Sequence, residues 1–154
     1  MAEMYSINPQ EEQDSIVAFL KAEYPHVPVI TGGVPDGDYK EIKVVNGVVQ
    51  EFVILWFSNA KKGRKQGFGG RKLDSYYATV DIAVIGPTDD RARRLMNIIS
   101  DRLVDFKVSG GGRIDTGTPL YADGRQVKQE STKPARWMRT NRFDFGIASK
   151  RVAP

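Results

Sequence analysis

The sequence predicts an α+β fold in which two helices pack on one face of a mostly antiparallel twisted sheet. Three observations carry that expectation. Two segments, Asn8 to Tyr24 and Thr88 to Phe106, place apolar side chains at helical spacing behind capping residues. Three others, Val48 to Phe57, Tyr76 to Ile85 and Trp137 to Ala148, read as strands, and an Asn46-Gly47 dipeptide folds the first of them back on Glu41 to Val45. The chain of 154 residues is of a size that forms one domain, 1–154, burying roughly 68–70% of its unfolded surface.

Each element has its own signals. Asn8 can cap the first helix with its side-chain oxygen, Pro9 sits where its missing N–H costs nothing, and Glu11 takes the capping-box position. Ile16, Phe19, Leu20 and Tyr24 form its apolar stripe, and Pro25 ends it. His26 to Ile30 follows as a short strand that Pro28 restricts to an edge. After a turn region at Thr31 to Asp38 comes the hairpin, whose Asn-Gly pair tolerates the positive φ angles of a type I′ turn. Phe52-Val53-Ile54-Leu55-Trp56-Phe57 is apolar at every position, so both faces of that strand must be covered. In Tyr76 to Ile85, Tyr76, Ala78, Val80, Ile82 and Val84 share one face and Tyr77, Thr79, Asp81, Ala83 and Ile85 the other. Thr88 caps the second helix, Asp89 and Asp90 complement its dipole, and Ala92, Leu95, Met96, Ile99, Leu103 and Phe106 make its stripe. The arm 107–136 is irregular. The closing strand then sets Phe143, Phe145 and Ile147 on one face.

The charge is unevenly placed. The connection 58–73 between two strands contains KKGRKQGFGGRK, in which Lys61, Lys62, Arg64, Lys65, Arg71 and Lys72 are basic and no acid occurs. Those are six of the chain's 23 lysines and arginines, leaving 17 against 19 acids elsewhere, so the net charge of +4 belongs to one loop and not to a basic face. Three readings of the loop stay open: contact with an acidic protein surface, contact with DNA, or a solvated hairpin tip. Cysteine is absent, which excludes disulfides and thiolate chemistry and suits a reducing compartment. No signal-peptide pattern opens the sequence, and the longest apolar run falls far short of the roughly 20 residues that span a bilayer. A soluble intracellular protein without membrane contact is expected.

Catalytic constellations fail on spacing. A Walker loop needs GxxxxGK[ST], whereas Gly67 to Lys72 runs GFGGRK and is followed by Leu73. Asp36 with Glu41-Ile42-Lys43 has the residue types of a magnesium-dependent nuclease, but four intervening residues hardly allow the two acids to lie on adjacent strands. His26 is the only histidine, and no GxSxG accompanies it. No enzyme, metal or cofactor is expected. Trp56 and Trp137 lie in apolar strand patterns, which favours burial in a core or interface over stacking on bases.

The order of segments resembles the tail terminator proteins of long-tailed, siphovirus-type bacteriophages. The likeness runs through the VPV strand, FVILWF, DSYYATVDIAVIGPT entering TDDRARRLMNIISDRLVDF, and RTNRFDFGIAS. Its most telling part is Tyr76 to Phe106, a strand ending in Val84-Ile85-Gly86-Pro87-Thr88 that leads into a helix. The resemblance implies a structural protein without catalytic residues: a hexameric ring that caps the tube of major tail protein, ends its growth and joins it to a head-neck connector. It implies a place at the head-proximal end of the virion tail, with assembly in the host cytoplasm. Independently, a strand apolar on both faces leaves surface for a second subunit to cover, which makes Phe52, Ile54, Trp56 and Trp137 interface candidates.

Replacing the six basic residues of the loop by Gln separates its three readings. A nucleic-acid arm would lose DNA binding whose log affinity otherwise falls with log salt at a slope of about −5, with assembly intact. A protein-binding loop would keep tail length while capping or head joining weakens, and a solvated tip would leave both assays unchanged.

Overall fold

The computed structural model describes residues 4–6, 10–31, 43–59, 61–62, 76–104, 106–108, 114–120, 125–126, 136–147 and 150–152. Along the chain run β1 (Met4–Ser6), α1 (Gln10–Glu23), β2 (Val29–Thr31), β3 (Val44–Val45), β4 (Val48–Val49), β5 (Phe52–Phe57), β6 (Lys61–Lys62) and β7 (Tyr76–Gly86). Then come α2 (Asp89–Leu103), β8 (Thr118–Pro119), β9 (Arg125–Gln126), β10 (Trp137–Ile147) and β11 (Lys150–Val152). The main sheet has the order β2-β5-β7-β10-β8, with β6 added to β7 and β9 to β10. The α+β expectation holds, with one refinement: β2 runs parallel to β5, so the sheet is mixed. Pro28 sits just before this edge strand, where it needs no N–H and its carbonyl accepts from Val53 N.

The hairpin forms where Asn-Gly places it. Asn46 and Gly47 take φ of 51° and 75°, the pair of positive values a type I′ turn demands. Its second strand does not run on into FVILWF, however. β3 and β4 form a small sheet of their own, and the chain breaks at Gln50-Glu51 before β5 joins β7. A second local device was not visible in the sequence. Phe57 pairs with Val80 but Lys61 with Tyr77, so four steps along one strand match three along the other. This is a β-bulge. Ser58 holds it: its N donates to Thr79 O, and its hydroxyl accepts from Thr79 N at 2.8 Å in place of a ladder carbonyl. The strand thus continues past the bulge, and Lys62, opposite Tyr76, is its last described pair.

Alternation along the strands separates two apolar clusters. On one face Val53, Leu55, Val80, Ile82, Val84, Phe143 and Phe145 meet Ile16 and Leu20 of α1 and Ala92, Met96, Ile99 and Leu103 of α2. Both helices therefore lie on the same face, as their stripes require. On the other face Ile30, Val49, Phe52, Ile54, Ala83 and Ile85 form a smaller cluster, with Trp56 and Met138 packed against it. The α2 cap is as expected, Thr88 Oγ1 accepting from Arg91 N. The helix ends at Leu103 because Val104 turns extended, with ψ of 131°. Phe106, expected within the stripe, lies beyond it and stacks on Phe19 of α1 at 4.3 Å. The Asn8-Pro9 start of α1 and the acids Asp36 and Glu41 fall outside the described residues.

Residues 114–120 and 125–126 of the irregular arm guard the outer edge of β10. Asp115 N donates to Asp144 O and Leu120 N to Thr140 O, and β8 and β9 pair with two residues each. Such short strands, one containing Pro119, carry too little pattern to be read in advance. The same is true of β1 and β11, which bring the two ends of the chain together. Gly117 lies against the core here: a Cβ on it would stand 2.5 Å from Phe143 Cε1, and Phe143 is fully buried. The ring has nowhere to retreat. Gly117→Ala is therefore expected to lower unfolding stability by about 1–3 kcal/mol. Urea denaturation reads it out, and an unchanged midpoint would mean that residues 114–117 do not rest on Phe143.

Candidate assembly surface

The residues proposed from sequence as interface candidates fall on two faces. Phe52, Ile54 and Trp56 share the face away from the helices, whereas alternation along β10 puts Trp137 on the side of Arg139 and Asn141, which bond to α2. Phe52 and Ile54 are fully covered by the chain itself and have no exposed surface to offer a second subunit. Trp56 and Trp137 are half-buried. Of the six basic loop residues, Lys61 and Lys62 form β6, and Arg64, Lys65, Arg71 and Lys72 lie outside the described residues.

The uncovered apolar surface lies elsewhere. In an antiparallel pair directly opposed residues share a face. Val44 opposes Val49, which is buried in the smaller cluster, and Val45 opposes Val48 on the other side of the hairpin. Val44, Val45 and Val48 are 49%, 53% and 41% exposed, so three of the four hairpin valines keep surface in water and Val49 alone of them is buried. Nothing in the sequence marked which valines of the hairpin point out, because the break at Gln50-Glu51 resets the alternation between β4 and β5. A second apolar patch is on α2, where Val27, Leu95 and the exposed Ile98 line a shallow hollow of about 310 Å3 edged by Glu51, Arg91 and Arg94.

Ion pairs fix the elements around these surfaces. Arg91 grips Glu51 with two contacts and so ties the first turn of α2 to the start of β5. Arg139 reaches from β10 to Asp89 in a two-pronged pair of 2.8 and 2.7 Å. Across the sheet Arg142 and Asp81, directly opposed in register, form a similar fork. Such bidentate pairs add direction as well as charge. Asp89 is held below the usual carboxylate range, first by the hydrogen bond from Arg139 and further by the charges of Arg139 and Arg93. Among the described residues no three His, Asp or Glu side chains cluster as a metal site, and no helix is long and apolar enough to cross a membrane. His26 is exposed.

No protein-family model matches the chain, and no curated protein matches it. Among solved structures it is similar to a chain from the virion of a native gene transfer agent particle. The identity is 19%, the TM-score 0.51, and the match spans 88% of this chain and 92% of that one. A further solved chain, 9% identical, matches over 94% of both chains with a TM-score of 0.48. The first likeness shows a shared fold.

The Asp89 to Arg139 pair has a pH signature. A carboxylate whose folded pKa is depressed lends stability that is complete above its unfolded value of about 3.9 and lost as pH falls through the folded pKa. An NMR titration should place Asp89 below that value, and Arg139→Gln should move it back up. An Asp89 midpoint that ignores the substitution would show that Arg139 does not hold it.

Proposed function

We propose that this chain is a structural protein of a phage-like virion that assembles as a ring of six at the end of the tail tube. There it stops tube growth and offers its opposite side to the head-neck connector. The observation that carries this reading is the fold likeness to a virion chain over nearly the whole of both proteins. The order of segments noted in the sequence supports it, in particular the strand that ends in Gly86-Pro87-Thr88 and enters α2.

The surface chemistry suits assembly. Work of this kind forms and breaks no covalent bond; it needs shape and charge complementarity over buried area. The outward Val45 and Val48 pair costs free energy in water, and covering it is favourable at roughly 25 cal/mol per Å2. In this reading subunits meet through the hairpin side of the sheet. In a ring the hairpin meets a different patch of the next subunit, a head-to-tail contact that closes when the rotation between neighbours does. Lys62 of β6 and Tyr76 of β7, the described residues that flank the rest of the basic loop in sequence, pair with each other. Six copies then gather its positive charge into one crown, facing an acidic ring of tube or neck protein, with DNA passing the channel as the competing partner.

Negative-stain electron microscopy of the purified protein, with light scattering, tests this directly. Rings of six are expected, either from the protein alone or once tail tubes are added. A monomer under both conditions would contradict the assignment.

A further inference from the structure

Arg136 stands immediately before β10 and is only 3% exposed. Its guanidinium lies over the ring of Phe52, Cζ 5.9 Å from the centroid, on the face of the sheet away from the helices. Nε and Nη1 are enclosed and have no hydrogen-bond partner among the described residues. Five other arginines, Arg91, Arg93, Arg94, Arg139 and Arg142, each hold a carboxylate, and the least exposed of them still shows 21% of its side chain to solvent. The most buried of these cations is thus the one without a counter-ion among the described residues.

That arrangement is costly. Burial pulls the Arg136 pKa down, yet a guanidinium keeps its proton at neutral pH. A cation above an aromatic ring does not replace the hydrogen bonds that enclosed N–H groups lose. A methionine or leucine at this position would suit the apolar surroundings better.

We propose that Arg136 is the receptor for a carboxylate of a second copy of this chain, supplied on assembly; this rests on the ring reading above. The flat fork of a guanidinium matches a carboxylate in two parallel hydrogen bonds. A second copy is the favoured source on two grounds. The hairpin that buries Val49 beside Phe52 turns Val45 and Val48 outward on the same side of the molecule, where an identical subunit would cover them. Asp115 and Asp144 are exposed and make no ion pair among the described residues, so the chain itself carries suitable carboxylates outside the helices. DNA phosphates are less well matched, because the backbone of nucleic acid is met by accessible cations that release its counter-ions. Since the two nitrogens are enclosed in the single chain, pairing is coupled to a local rearrangement around Arg136.

The signature is a change of opposite sign in two measurements. In the isolated chain Arg136→Met should raise the melting temperature by about 2–4 °C, since an uncompensated charge is removed. In sedimentation at graded concentration the same variant should self-associate at least ten-fold more weakly than the wild type. Arg136→Lys, which keeps the charge and loses the fork, should also associate weakly but without the gain in melting temperature. A lower melting temperature for Arg136→Met would mean that the guanidinium is satisfied inside the chain, and unchanged self-association would mean that no subunit carboxylate reaches it; either result overturns the proposal. Loss of duplex-DNA binding with self-association intact would overturn it in favour of phosphate. A wild-type protein that stays monomeric even with tail tubes present would instead remove the ring reading on which the proposal stands.

Discussion

Everything else in the fold depends on β7. It is bonded along both edges, to β5 and β6 on one side and to β10 over its full length on the other. From Ile82 to Gly86 it is buried on both faces, so each side chain there must fit one apolar cluster or the other. A slip of one residue would exchange Ile82 and Val84 with Ala83 and Ile85, trading the helix-facing core for the opposite one. Its far end also sets the helix: a Cβ on Gly86 would stand 3.3 Å from the Ala92 N, so the approach of α2 to the strand is close because that residue is glycine. Thr88 then starts the helix two residues later.

Much of this was legible in the sequence because β7, β10 and the two helices are long enough for their periodicity to be unambiguous, and β5 is an unbroken apolar run. The faces of Tyr76 to Ile85, the cap at Thr88 and the Asn-Gly turn all rest on signals within a few residues of each other. What escaped were features decided by distant partners. The Ser58 bulge depends on Thr79, the parallel pairing of β2 depends on where the chain returns after the hairpin, and β8, β9, β1 and β11 are two or three residues long. The surface was read least well. An all-apolar strand pointed to Phe52 and Ile54 as interface residues, yet the hairpin brings Val49 onto that face and the chain covers both of them. The hairpin valines left outside, Val44, Val45 and Val48, come from a segment too short to have a periodicity of its own.

Charge tells a similar story at two scales. At the level of composition, the excess of positive charge sits in one loop whose described base is the short β6 strand. At the level of packing, arginines near the surface are matched to acids and hold α2 to β5 and β10, while Arg136 is buried without a match. A chain that had only to fold would gain from an apolar side chain there. Keeping an enclosed cation beside Phe52, and valines in water on the hairpin, are both costs that the isolated subunit bears and an assembly can remove.

In the proposed ring, subunits meet through the hairpin side of the sheet and not through the helices. Amide hydrogen exchange compared between the dispersed and assembled protein tests it most directly, since it reports protection segment by segment. The predicted result is added protection in residues 43–50 and near Arg136 to Met138, with β7 already slow in both states and α2 unchanged. Protection gained along α2, with the hairpin exchanging as before, would contradict the claim.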